Sequence, residues 1–414
     1  MNAPAPTSGN RPVLLLAALC LLGWLACALL PRLLQALGIT DYGQWYLDSY
    51  AVLAASDAVR AGVSPDAANP LDPLLRNHKY SDWWFGLRWM GLTRESNFLL
   101  GTSWVAAFAL AAWLTLKPRN FREAGWLAVL LLSPPVLLGI NRANNDLVIF
   151  TLLAVCGAAA AVPAWPRQAL ALCALALATG LKFYPAPAAL AFLWVRPVRR
   201  APWATLVAVL VGALVLASVW PQIARGQFPV DSTMHTLGAP LLGRELGWSD
   251  AASLLVSVVG CTLGAVALVA SRCTAGLASQ GLLRERLLAA VGAIVLLACF
   301  AAGVSYAYRW IFALWLALWL WRRAEEFGGS ARARWTVRAG LGLLLFGFWS
   351  DGLLCLVVNR LLPSQPQTAI DALQVSWRLW TQPLHWILMI LLAGWLLEGA
   401  LATGREWRAS RVAC

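Results

Sequence analysis

The chain has 414 residues, of which 60% are hydrophobic and only 12% charged, with a mean hydropathy of +0.67. That balance excludes a water-soluble globule of this length and reads as an all-α polytopic membrane protein. The formal net charge of +13 does not mark a nucleic-acid binder, because Arg and Lys fall in short clusters between apolar runs, as loops on the cytoplasmic side require.

Residues 1–12 form a polar leader, and Val13 to about Leu30 is an apolar run long enough to span a bilayer, expected to stay as an uncleaved signal anchor. Residues 38–97 then change character. Six aspartates (Asp41, Asp48, Asp57, Asp66, Asp72, Asp82) mix with Trp45, Tyr46, Tyr50, Tyr80, Trp83 and Trp84. A long polar segment after a spanning helix must lie in water or at the interface, so short interfacial helices are expected, the first over Asp41–Arg60. Trp83 and Trp84 suit a sugar face or an interfacial belt equally well.

Eleven further apolar runs follow: 98–116, 126–140, 147–162, 169–181, 185–195, 203–220, 251–270, 287–303, 310–321, 337–358 and 383–401. With the first they predict about twelve transmembrane helices in a single domain over 13–401, several shorter than the roughly 20 residues a spanning helix needs. Residues 402–414 form a tail. The basic clusters Lys117/Arg119/Arg122, Arg167, Arg196/Arg199/Arg200, Arg272/Arg284/Arg286, Arg322 to Arg338 and Arg405/Arg408/Arg411 fall on every second connection. The positive-inside rule places them and both termini in the cytoplasm, of a bacterial inner membrane by expectation. Segments 38–97, 141–146, 184–185, 221–250, 305–309 and 363–377 then share the outer face.

Nine cysteines lie in apolar runs or cytoplasmic segments without metal-ligand spacing, so neither a disulfide nor a metal site is expected, and no cofactor. On the outer face, Arg142, Lys182 and Arg309 are cations where the rule predicts few. Singly, Arg142 pairs with Asp146 one turn on, Lys182 snorkels from a helix end and Arg309 meets headgroups. Together, each beside Asn or Tyr, they point to a bound anion near the membrane surface, with a lipid phosphate as candidate. Asn144, Asn145 and Asp146 precede an apolar run and suit the capping of its helix. Lys182-Phe183-Tyr184-Pro185 breaks a helix where freed backbone groups favour a pocket. His78 and His235, in outer loops, are candidate sugar or phosphate ligands against a solvated alternative, and His385 reads as a packing residue.

Ser133-Pro134-Pro135, Asn141-Arg142-Ala143-Asn144-Asn145-Asp146 and Gly180-Leu181-Lys182-Phe183-Tyr184-Pro185 together resemble the core signature of glycosyltransferase family 87. This is the polyprenyl-phosphate-mannose-dependent α-mannosyltransferase type of the glycosyltransferase-C superfamily. The likeness covers about 60 residues, and the multispanning plan extends it loosely to the rest. Many relatives carry Gly-Gln where this chain has Arg142–Asn145. The resemblance implies a glycosyltransferase-C-like fold and a polyprenyl-phosphate-sugar donor. The acceptor it implies is a lipid or glycan on the outer face. It also implies that an acid opening the first outer loop is the catalytic base: Asp48, ahead of Ser49-Tyr50-Ala51 and the Ala-rich stretch to Gly62, or Asp41 in a second register. Lys182, Arg142 and Arg309 would hold the departing phosphate, with Asn144, Asn145, Asp146 and Tyr184 beside them, and the displacement would invert the anomeric centre. Two other classes share parts of this pattern. A secondary transporter would place its charges near mid-membrane in paired halves, and no second copy of the Lys182 element is present. A lipid-linked glycan polymerase or ligase would carry its large outer loop later in the chain.

Overall fold

A computed structural model describes residues 10–39, 44–224, 235–276, 281–326 and 330–412. Backbone polar groups in hydrocarbon must be satisfied within their own segment, and the apolar runs accordingly fold as helices. Chain order gives α1 (Arg11–Leu29), α2 (Pro31–Ala36), α3 (Leu47–Arg60), α4 (Asn97–Thr115), α5 (Phe121–Leu131), α6 (Pro134–Asn141), α7 (Asp146–Ala160) and α8 (Trp165–Leu181). Then come α9 (Ala201–Ala224), α10 (Ala239–Glu245), α11 (Asp250–Ala270), α12 (Leu283–Ala302), α13 (Ala313–Glu326), α14 (Ala331–Leu356) and α15 (Gln367–Val412). Tight 3-10 segments cover Asp82–Met90, Ala186–Trp194 and Ala307–Phe312.

Seven helices among the described residues are long and apolar enough to cross a membrane, or eight if α5 and α6 count as one broken span. The run expected as one span over 126–140 is thus two helices bent by 60°. The cause is Ser133-Pro134-Pro135, since the prolines lack the amides that would continue α5 and start a new helix instead. Lys182 likewise ends α8 in an extended conformation, and the run 185–195 becomes a buried 3-10 segment of nine residues, Ala186–Trp194, rather than a long α-helix.

Position in the bundle follows from how much apolar surface each helix buries. The most apolar window of α12 is 72% buried, against 11% for α1 and 17% for α9 and α11, so α12 is central and the other three face lipid. Gly292 on α12 allows the closest approach: a Cβ there would lie 2.2 Å from the Phe312 carbonyl oxygen. The segment carrying Arg309 is thereby pressed onto α12. It is also fastened from outside, where the short strands Thr236–Leu237 and Ser305–Tyr306 pair antiparallel and the Ala307 amide donates to the His235 carbonyl at 3.0 Å.

The basic connections gather at one end of the bundle. Arg322 pairs with Glu123 at 2.8 Å and Glu285 at 2.6 Å, Arg119 with Glu285 at 3.3 Å, and Arg196 with Glu406 at 2.6 Å. Arg200 donates to the Pro163 carbonyl at 3.2 Å. The polar segments read as outer meet at the other end, where Arg94 holds Asp57 at 3.2 Å and the Asp82 amide donates to Gln222 at 3.2 Å.

The helix expected over Asp41–Arg60 begins at Leu47, after Tyr46 in a left-handed conformation; Asp41 lies outside the described residues. It does not lie on the surface either. Leu47, Asp48, Ser49, Val52, Leu53 and Ala54 are all buried, because the 3-10 segment 82–90 and α4 pack over it.

Candidate active site

Asp48 occupies the first turn of α3 and is 2% exposed, which overturns its alternative as a solvated surface acid. Its Oδ1 accepts from Arg142 Nη2 at 2.8 Å and from Arg76 Nη1 at 3.2 Å, and its Oδ2 from Asn144 Nδ2 at 2.6 Å. The Asp48 amide donates to the Arg142 carbonyl at 3.0 Å, so α3 is docked through backbone and side chain alike onto the turn between α6 and α7. Burial alone would raise the carboxyl's pKa, but Arg142, Arg76 and Asn144 together outweigh it and hold the group below the usual carboxylate range.

The turn itself explains the pairing. Ala143 has φ of 41°, so the chain reverses between Arg142 and Asp146, which therefore do not sit one helical turn apart. The expected local Arg142–Asp146 pair does not form. Arg142 goes to Asp48, and Asp146 goes to Lys182, Tyr184 and Arg309. Asp146 Oδ1 accepts from Lys182 Nζ and from the Tyr184 hydroxyl at 2.7 Å, while Arg309 Nε lies 3.7 Å from Oδ2. Lys182 is 7% exposed and does not snorkel. Arg309, whose side chain is 20% exposed, lies 4.6 Å over the Tyr184 ring and donates to Ser305 Oγ rather than standing free for headgroups.

Capping is shared unequally among the three polar residues before α7. Asn144 Oδ1 accepts the Asp146 amide at 2.9 Å, whereas Asn145, formally the N-cap, makes no capping bond and is fully buried. Both side-chain polar atoms of Asn145 lack a hydrogen-bond partner among the described residues.

The remaining candidates separate. His235 is buried, its Nε2 3.1 Å from the Leu37 carbonyl oxygen and 3.5 Å from Cys355 Sγ, and burial pushes its imidazole below the ordinary value. It is therefore a neutral wall residue at pH 7, not a phosphate cation. His78 stacks at 4.4 Å on Phe85 and lies 3.3 Å from the Ser81 carbonyl oxygen. His385 packs between Trp310 and Phe346, as a packing residue would. Trp84 is buried and donates to the Leu181 carbonyl at 3.1 Å, so it fixes the end of α8 instead of serving as a belt; Trp83 is 40% exposed.

Three residues escaped the sequence reading. Arg76, on the irregular stretch after Gly62, is bound by Asp72 on two atoms and by the Leu47 carbonyl as well as by Asp48. Its only local signal was the four-residue spacing from Asp72. Tyr80 lies with its ring 5.4 Å from Lys182 Nζ, and Tyr308 is buried within the influence of Asp146 and Asp48. Among the described residues, four basic side chains (Arg76, Arg142, Lys182, Arg309) thus meet three carboxylates (Asp48, Asp72, Asp146).

Two adjoining cavities lie beside this cluster. A cavity of about 390 Å³ between α1, α4 and α5 is lined by Leu16, Trp24, Phe108 and the lipid-facing Leu21 and Trp113. It shares Trp24, Tyr46 and Ile140 with a second cavity of about 360 Å³ that ends at Asn141 and Arg142. A third, of about 600 Å³, is lined by Phe183, Tyr184, Pro187 and apolar residues of α9, α11 and α12. No cluster of His, Cys, Asp or Glu suited to a metal ion is present among the described residues. No known family model, curated protein or solved structure matches the chain.

Proposed function

We propose that the chain is a membrane glycosyltransferase that moves a hexose from a polyprenyl-phosphate-sugar donor to a lipid or glycan acceptor on the outer face. The observation that carries the reading is Arg142, which lines the cavity adjoining the apolar one between α1, α4 and α5 and donates to the buried Asp48. A long apolar tail with a phosphate head matches an apolar cavity adjoining a more polar one that ends at a cation. A free sugar or soluble nucleotide would have no use for that length of apolar wall.

The chemistry follows from the same pair. An acceptor hydroxyl is far too weak an acid to ionise at neutral pH, so Asp48 takes its proton as the oxygen closes on the anomeric carbon. The bond from that carbon to the phosphate oxygen breaks with its electron pair, and the polyprenyl phosphate leaves into the field of Arg142. The Arg142 guanidinium offsets the charge that develops, and a single displacement inverts the anomeric centre. Asp146 is occupied by Lys182 and Tyr184, and these three hold the turn and the end of α8 together behind the reacting groups.

The glycosyltransferase-C plan of about twelve crossings belongs to the same proposal. Two features support it: the basic connections meet at one end, and the short buried segment Ala186–Trp194 links Lys182, beside Asp146, to Arg196, which pairs with Glu406. At about 2.0 Å per residue a 3-10 helix covers more distance than an α-helix of equal length.

The test is transfer in proteoliposomes from polyprenyl-phosphate hexoses, mannose first, to a panel of lipid and glycan acceptors. Labelled hexose should appear in the acceptor with the wild-type chain and not with Asp48→Asn, which should still bind polyprenyl phosphate. Full transfer by Asp48→Asn, or none by the wild type with any donor, overturns the reading. Asp41→Asn belongs in the same assay, as the second register of the base.

A further inference from the structure

Asp48 Oδ1 is shared by two arginines that are held very differently. Arg76 spends its guanidinium entirely on protein: Nε lies 3.1 Å from both Asp72 oxygens, Nη2 donates to Asp72 at 2.9 Å and to the Leu47 carbonyl at 3.0 Å, and Nη1 reaches Asp48 at 3.2 Å. Arg142 makes one side-chain hydrogen bond among the described residues, from Nη2 to Asp48, while its buried Nε has no partner. Arg142 also lines a cavity of mixed character, with Gln44, Trp45, Tyr46 and Asn141.

We propose that the two arginines divide two tasks: Arg142 is the exchangeable partner that turns from Asp48 to an anionic head group, and Arg76 is a positioning residue that stays on Asp48 and keeps it ionised and oriented when Arg142 leaves. The inference rests on the reading of Asp48 as the base. The physical need is plain. A phosphate competing for Arg142 removes one cation from a carboxylate 2% exposed, and burial alone drives such a group toward its protonated form, which takes up no proton. Arg76, clamped by Asp72, cannot follow the phosphate and supplies the remaining positive charge. Asp72 is itself 3% exposed and commits both oxygens to Arg76.

The other groups that face Asp48 do not fill that place. Asn144 is neutral, Tyr80 and Tyr308 carry protonated hydroxyls, and Lys182 acts on Asp48 from a distance while bonded to Asp146.

The experiment reads the protonation of Asp48 directly. A hydrophobic carbodiimide modifies carboxylic acids but not carboxylates, and peptide mass spectrometry locates the adduct across a pH series on the full chain in nanodiscs, with Asp48→Asn as the blank. Loss of an opposite charge at this range moves a carboxylate by about one pH unit or more, so Arg76→Gln should label Asp48 at a midpoint raised by that amount. Arg76→Lys, which keeps the charge, should return the midpoint most of the way to the wild-type value; a merely structural role would not separate the two. Added polyprenyl phosphate should raise the midpoint further in Arg76→Gln and leave the wild type protected. An unchanged midpoint in Arg76→Gln overturns the proposal, as does a phosphate effect seen in Arg142→Gln but absent from Arg76→Gln.

The pH–rate profile of transfer is the second arm. Its acid limb should move upward by the same interval in Arg76→Gln. An acid limb that stays in place overturns the role in transfer even where the labelling shifts. If the wild type transfers nothing while labelling behaves as expected, the base assignment of Asp48 fails and the hold of Arg76 on the carboxylate stands.

Discussion

Asp146→Ala tests the buried charge arrangement without reference to any reaction. In the wild type this carboxylate takes Lys182 Nζ and the Tyr184 hydroxyl and lies 3.7 Å from Arg309 Nε. Removing it strands an ammonium that is 7% exposed, and breaking a buried pair from one side costs about 3–5 kcal/mol. A ceiling exists, because Lys182 can shed its proton. From an unfolded value near 10.4, neutralising it at pH 7 costs roughly 4.6 kcal/mol at about 1.36 per unit. That ceiling falls by roughly 2.7 kcal/mol when the pH rises from 7 to 9, since the unfolded lysine is then closer to neutral as well. With an unfolding entropy of roughly 0.9 kcal/mol per kelvin for a chain this long, the loss at pH 7 corresponds to about 3–6 °C in apparent Tm.

Lys182→Met is the milder change, because Asp146 keeps Tyr184 and Arg309. The double variant Asp146→Ala/Lys182→Met strands no lysine and should be more stable than Asp146→Ala alone. The 24 tryptophans make intrinsic fluorescence a suitable melting probe in detergent or nanodiscs. The reasoning is refuted if Asp146→Ala melts with the wild type, if its deficit grows from pH 7 to pH 9, or if the double variant is no better than the single.

Asp48→Asn should lose transfer by about 10²-fold or more while keeping polyprenyl phosphate binding within a few-fold, measured by scintillation proximity on the purified protein. Glu123→Gln, at the opposite end, weakens the bond to Arg322 and should lower the apparent Tm by a few degrees, because a charge-assisted hydrogen bond contributes about 1.5–3 kcal/mol; transfer per folded molecule should not change. Gly292→Val places side-chain atoms against the Phe312 carbonyl and should reduce folded yield on size-exclusion chromatography, where a wild-type elution profile would contradict the close crossing. Cysteines introduced at the exposed Ser64 and Ser330 should react with an impermeant maleimide from opposite sides of the membrane, and labelling from one side would refute the two-ended loop arrangement.

Much of the molecule was legible in the chain itself. Long apolar runs have one solution in hydrocarbon, the helix, and charges that cannot enter it must gather at its ends. The basic connections on every second loop therefore anticipated which segments share an end: those carrying Arg119, Arg284 and Arg322 at one, those carrying Asp48 and Arg142 at the other. Pro185 announced the break after α8, because a missing amide is a local property, whereas the bend at Pro134-Pro135 lay hidden inside a run whose apolar composition read as one span. What the sequence left undecided was partnership. Spacing favoured Arg142 with Asp146, yet a left-handed Ala143 turns the chain between them and sends each to a residue distant in sequence. Arg76 drew no notice in the sequence because only the folding of α3 and the following loop brings it against Asp48. A charge's role depends on what surrounds it once water is excluded, and only the packing of segments 28, 94 and 36 residues apart in sequence decides that for Arg76–Asp48, Arg142–Asp48 and Lys182–Asp146.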